Sequence, residues 1–191
     1  FGHACAYLDG PVTLAATHQI PQGVWLRGSM QSAAVITYTG TGDCFVVTGT
    51  SATDNRLSGG IEGLRIKLAG AGGVGVHLVD CRNIRVDIAV SGNNEIGTTI
   101  NAGSSGVKVT YTTQGVGASW NVVRVYGEYL EACLDLNGSA HSPTWVTRDE
   151  FSGHAQSCTF GVRASGAGSN DYRFHPQNCV TGWSFTDCDE K

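Results

Sequence analysis

Between residues 63 and 183, apolar and polar positions alternate with a period of two in short runs, and the runs are of two kinds. The first kind carries an Arg between apolar neighbours: Gly63-Leu-Arg65-Ile66, Asn83-Ile-Arg85-Val86 and Val122-Val-Arg124-Val125, continuing in Val146-Thr-Arg148-Asp149 and Asp171-Tyr-Arg173-Phe174. These arginines are 20, 39, 24 and 25 residues apart. The second kind falls between successive members of the first: Gly75-Val-His-Leu78, Gly106-Val-Lys-Val109, Cys133-Leu-Asp-Leu136, Phe160-Gly-Val162 and Thr181-Gly-Trp183. Earlier, Ile20-Pro-Gln-Gly-Val-Trp-Leu-Arg27 fits the first kind, and Gly42-Asp-Cys-Phe-Val-Val47 fits the second. A period of two is the signature of strands, and nothing sustains the helical period of 3.6.

A strand of four to six residues cannot bury its inward face alone, so a repeat of such strands predicts stacking of each unit on its neighbours. The expectation is one all-β domain over residues 1–191, a right-handed parallel β-helix (solenoid) of about six coils. Leu64, Ile66, Leu68, Ile84, Val86, Ile88, Val123, Val125, Tyr172 and Phe174 should point inward. Arg65, Arg85, Arg124, Tyr126, Arg148, Glu150, Arg173 and Asp87 should point outward, the arginines forming a ladder. The polar stretch Ser91–Ser105 reads as a loop inserted in one coil. Tyr126, Phe151 and Phe174 precede Cys133, Cys158 and Cys179 by 7, 7 and 5 residues, which places the cysteines at one inward corner.

Composition narrows the functional classes. Glycine is abundant at 27 residues, proline scarce at 4, and charged residues make up only 15%. A formal net charge of -4 argues against a binder of the nucleic-acid backbone. No apolar run reaches the roughly 18 residues needed to span a bilayer. Seven cysteines, odd in number and without C-x-x-C or zinc-finger spacing, read as reduced, buried small apolar residues. Cys179–Cys188 is the one pair worth testing as a disulfide. The start at Phe1-Gly-His and the stop at Lys191 read as a trimmed fragment of a longer polypeptide.

Ile20-Pro-Gln-Gly-Val-Trp-Leu-Arg-Gly28, followed by Gly75-Val-His-Leu-Val-Asp-Cys-Arg-Asn-Ile-Arg-Val86, resembles the pectate-lyase-like β-helix superfamily. Within it, the reduced-type cysteines and short coils are most similar to bacteriophage tailspike and tail-associated proteins. The resemblance covers about residues 10 to 188. It implies a homotrimer in a virion tail, with a secreted enzyme as the alternative location. The implied partner is a bacterial surface polysaccharide, bound or depolymerised, with neither nucleic acid nor membrane involved. The lyases of that superfamily that use calcium cluster aspartates on one sheet, and no such cluster is seen here.

The candidate chemistry lies on the outward face. Arg65, Arg85, Arg124, Arg148 and Arg173, with Tyr126, suit an acidic glycan, because guanidinium forks hold carboxylates. Trp120 and Trp145 each precede a strand of the first kind and offer flat faces to sugar rings. Asp87 and Glu150, two rungs apart with Tyr126 between, would stand roughly 9–10 Å apart, near the spacing of an inverting glycosidase pair. With Glu128 they are the candidate catalytic carboxylates. Glu128, Glu131 and Asp135 also surround the next corner, with His141 and His154 on following turns, and offer a second acid-base set. Each of these groups also has a plain reading as solvated polar surface. Gly70-Ala-Gly-Gly-Val-Gly75 matches a dinucleotide fingerprint only literally, since a strand and not a helix follows it. Asp135-Leu-Asn-Gly-Ser139 lacks the frame of a calcium loop. No cofactor or metal is expected.

Overall fold

A computed structural model describes residues 4–29, 33–49, 59–92, 99–112, 118–138, 146–168, 170–186 and 188. Among these there is no helix. The first strands are β1 (Ala4–Leu8), β2 (Val12–Leu14), β3 (His18–Pro21), β4 (Val24–Gly28), β5 (Val35–Tyr38) and β6 (Asp43–Thr48). They continue as β7 (Gly59–Leu68), β8 (Gly73–Val79), β9 (Ile84–Ser91), β10 (Asn101–Thr110), β11 (Val122–Glu128) and β12 (Leu130–Asn137). The last are β13 (Val146–Thr147), β14 (Glu150–Gln156), β15 (Phe160–Ser165), β16 (Ala167–Gly168), β17 (Asp171–Gln177) and β18 (Thr181–Thr186).

All pairing between these strands is parallel. Sheet A has nine strands along the order β1-β4-β7-β9-β11-β14-β17, with β2 and β5 beside it. Sheet B has seven, ordered β18-β15-β12-β10-β8-β6-β3, and β13 with β16 forms a small third sheet. From β7 onward the chain alternates between A and B, as the two kinds of run predict, giving a solenoid-like arrangement. Each strand adds one row to the core. Ile61, Val86, Val123, Phe151 and Tyr172 stack in register as one inward file, and Leu64, Ile88, Val125, Gly153 and Phe174 as the next. Leu64, Ile66, Leu68, Ile84, Val86, Ile88, Val123 and Val125 are all buried. Each such aliphatic side chain contributes ~1.5–3 kcal/mol by leaving water. Tyr172 and Phe174, on the last strand of sheet A, are only partly covered.

The chain turns between sheets on left-handed residues, singly at Tyr129, Ser157 and Asn178 on the way from A to B, and at Asp80 with Asn83 on the way from B to A. Asp80, Tyr129, Ser157 and Asn178 have φ of 53–55°, and the residue after each dips into the interior. Those residues are Cys81, Leu130, Cys158 and Cys179. Cys81, Cys158 and Cys179 each direct the thiol at the carbonyl two residues back and at one on a neighbouring strand. Leu130, not Cys133, is therefore the counterpart of Cys158 and Cys179, which corrects the corner drawn from aromatic spacing. Cys133 lies inside β12, against Gly127. The seven cysteines are free, Cys179 and Cys188 included. Burial pushes the thiols of Cys44, Cys81 and Cys158 up to about 12, which makes them poor nucleophiles.

A second corner carries a buried amide ladder. The Asn121 N–H donates to Asp149 Oδ1 at 2.6 Å, and the Asp149 N–H donates to Asn170 Oδ1 at 2.9 Å. The flanking amides are completed by main-chain carbonyls, Asn121 Nδ2 to Cys81 O at 3.1 Å and Asn170 Nδ2 to Val146 O at 2.8 Å. Asp149 Oδ2 is buried without a hydrogen-bond partner.

Two expectations about the strands are overturned. Val146-Thr-Arg148-Asp149 is not a member of the arginine-bearing strands: Val146–Thr147 pairs with β16, Arg148 bends at φ 58°, and the sheet A strand begins at Glu150. The inward aromatic Phe151 sets that register, opposite Val123 and Tyr172. The stretch Ser91–Ser105 is not all loop either, since β10 begins at Asn101 and pairs with β8 from Ser104. The Asn101 side chain explains this, donating to Gly70 O and accepting from the Gly72 N–H.

Candidate functional site

The outward face of sheet A does not carry an arginine ladder. Its central file runs Tyr7, Arg27, Glu62, Asp87, Arg124, Ser152 and Arg173, so unlike charges lie close along it. Arg27 meets Glu62 at 2.8 Å, Glu62 meets Arg85 at 3.8 Å, and Arg124 meets Asp87 at 3.6 Å. Arg173 pairs with Asp171 on its own strand. Arg85 stands in a different file with Val122, Glu150 and Asp171, and Arg65 in a third with Ala89, Tyr126, His154 and His175. The displacement of Arg65 arises at Gly63, where the pairing of β7 with β9 slips by one residue. That glycine has φ 71° and lies against the Gly28 carbonyl, a position closed to larger residues.

The charged files enclose a groove of about 360 Å³. Arg85, Asp87, Arg124, Tyr126, Glu150, Asp171 and Arg173 form its walls, and the short side chain of Ser152 lies among the lining residues. Three guanidinium and three carboxylate groups face it, so its formal charge is balanced. A second recess of about 320 Å³, between Tyr7, Arg27 and Glu62, shares Asp87 with the first.

Asp87 and Glu150 both reach the groove, but not as the expected pair. Asp87 is opposite Arg124, while Glu150 is opposite Val122. Two strand spacings and a two-residue offset put their Cα atoms roughly 12 Å apart. The acidic residue directly opposite Glu150 is Asp171, its Cα one strand spacing away, roughly 4.8 Å. Glu128, at the far end of β11, does not line the groove. Tyr126 does, and is 45% exposed.

Trp120 and Arg148 occupy matching left-handed corners ahead of β11 and β14. Arg148 lies over the Trp120 ring at 5.2 Å, a cation–π contact between the two corners, and neither residue lines the groove. The partner of Trp120 is thus Arg148; Trp145 and His141 lie outside the described residues. Trp25 is covered by Arg27 at 4.7 Å, and Trp183 belongs to the aromatic end of the core with Tyr172, Phe174 and Phe185.

Glu131 and Asp135 lie on the outward side of sheet B, and His154 lies on sheet A, so they form no common acid-base set. Arg163 grips both acids: Nε and Nη2 donate to the two oxygens of Asp135 at 3.0 and 2.9 Å, and Nη1 to Glu131 at 2.7 Å. The Gly103 N–H, together with Arg163, holds the Glu131 carboxyl below its usual range. Arg163→Met leaves Asp135, 8% exposed, without its fork, and is expected to lower stability at neutral pH by ~1–3 kcal/mol, allowing for the partial exposure of Arg163. Because Glu131 is depressed in the folded state, its part of this stabilisation exists above the unfolded carboxyl range and fades as pH falls through the folded value. Urea unfolding at neutral and acid pH checks both. On the same face, Asp43 Oδ2 meets His77 Nδ1 at 2.6 Å and Thr110 Oγ1 meets His77 Nε2 at 2.9 Å, linking three strands.

The sequence reading missed Glu62, Asp171, Arg27 and Tyr7 as members of the sheet A face. Asp171-Tyr-Arg173 carried a signal, an acid and a base two apart on one strand face. Glu62 had none, because the Gly63 slip hides its register. No protein family, curated protein or solved structure matches the chain.

Proposed function

We propose that the chain is a right-handed parallel β-helix of about six coils whose sheet A groove binds a bacterial surface polysaccharide, as a module of a phage tail or tailspike. The groove carries this reading. It crosses four strands, β9, β11, β14 and β17, a span of roughly 14 Å that suits a short run of sugar rings. Its carboxylates accept from sugar hydroxyls, its guanidinium groups donate to ring, hydroxyl and carboxylate oxygens, and Tyr126 offers a flat exposed ring. Charge balance within the walls favours neutral or mixed-charge glycans over the strongly acidic polymer that an arginine ladder would select. The reading carries with it a homotrimer, which sedimentation equilibrium tests.

Binding to immobilised capsular and lipopolysaccharide O-chain preparations provides the test. The expected result is saturable binding by the wild type, reduced by about tenfold or more in Arg124→Ala and Tyr126→Ala. Lys108→Ala, on sheet B, should bind as the wild type does. Retention of full binding by both groove variants would remove the groove from the function.

The in-register Glu150 and Asp171, two carboxyl-bearing side chains from adjacent strands that both line the groove, favour a second reading, depolymerisation of the bound chain by a carboxyl pair of the kind glycosidases use. The same preparations, followed for shortening, decide it: Glu150→Gln or Asp171→Asn should abolish cleavage while leaving binding measurable.

A further inference from the structure

We propose that His154 and His175 form a two-imidazole site for a late first-row divalent metal ion: copper(II), nickel(II) or zinc(II). The two histidines are opposite one another on β14 and β17. Both point outward from sheet A, His154 half-buried and His175 exposed. Their Nδ1 atoms are 3.2 Å apart and the ring centroids 5.2 Å apart. Two imidazole nitrogens bound tetrahedrally at about 2.0–2.1 Å from zinc stand roughly 3.3 Å from each other. The rings therefore already hold the separation that coordination requires, and a metal ion can replace the proton between the two nitrogens. In-register pairing on adjacent strands fixes both Cα positions, so little further ordering is needed.

The surroundings define the kind of site. Tyr126 precedes His154 in the same file, and the next outward file holds Glu128, Gln156 and Gln177, which bring one negative charge. On the other side Arg173 is paired with Asp171. Among the described residues no group of three or more His, Cys, Asp or Glu gathers as a metal cage. The remaining positions thus fall to water or an incoming oxygen ligand, as in an open site and not a closed structural one. Imidazole ligands select copper, nickel and zinc over magnesium and calcium, with copper(II) bound most tightly. A bound ion clips β14 to β17, so it stabilises the folded chain independently of any glycan in the groove.

Copper(II) added to metal-free protein should bind at one equivalent, with an electron paramagnetic resonance spectrum showing coupling to two nitrogens. Zinc(II) or nickel(II) should raise the Tm. His154→Gln and His175→Gln, at outward positions that leave the core intact, should each lower copper affinity by about tenfold or more and remove the Tm shift. Circular dichroism verifies that these variants fold, and His77→Gln should keep both responses. Uptake without two-nitrogen coupling, or an unchanged affinity and Tm shift in the double variant, would overturn the assignment.

Discussion

Replacing Asp149 by asparagine is expected to raise the unfolding free energy above neutral pH by ~2–4 kcal/mol and to remove much of its pH dependence. Asp149 occupies the middle of the buried ladder between Asn121 and Asn170, and Oδ2 has no hydrogen-bond partner. Burial pushes its carboxyl up to about 7, against the lowering effect of the Asn121 N–H. The folded chain therefore keeps a proton that the unfolded chain releases between about pH 4 and about pH 7. Folded stability falls as pH rises through that window and is level above it. An amide cannot ionise. Its nitrogen can also donate from the place of Oδ2, as Asn121 and Asn170 do toward main-chain carbonyls. Urea unfolding of both proteins at about pH 5 and about pH 8 gives the answer, and equal slopes in the two would remove Asp149 as the source.

Gly153→Ala should be more damaging than its size suggests, lowering stability by ~3 kcal/mol or more and the Tm by roughly 10 °C. Gly153 has φ 151°, a backbone that side chains rarely adopt, and a Cβ there would stand 1.9 Å from the Val125 carbonyl oxygen. Val125 is its partner on the adjacent strand, held in the parallel ladder and unable to retreat without breaking it. Gly10→Ala provides the contrast, since its Cβ meets nothing within 4 Å and should be nearly neutral. Thermal unfolding followed by circular dichroism separates the two, and a Gly153→Ala protein as stable as Gly10→Ala would refute the steric argument.

Much of the core was legible along the chain. Leu64, Ile66, Val86, Ile88, Val123 and Val125 fall inward because strand side chains alternate whatever their partners are, so period two assigns the face locally. The alternation of strands between two sheets was equally legible, since the arginine-bearing runs alternate along the chain with runs of a second kind. Arg148 shows where this reasoning stops. Its neighbours imitate a strand, but the residue bends at a corner, and the next strand takes its register from Phe151. The corners themselves were hidden, because Asp80, Tyr129, Ser157 and Asn178 enter the left-handed region without the glycine that usually announces it.

The groove and the histidine pair depend on such offsets. Arg124 meets Asp87, Glu150 faces Asp171, and His154 touches His175 only because each turn has its particular length. By itself, the sequence determined the all-β class, the inward faces and the order of the two sheets. Which outward charges meet was decided only by tertiary structure. The physical reason is that alternation along a strand is local, whereas register between strands is set by turns and ladder hydrogen bonds linking residues twenty or more apart in the chain.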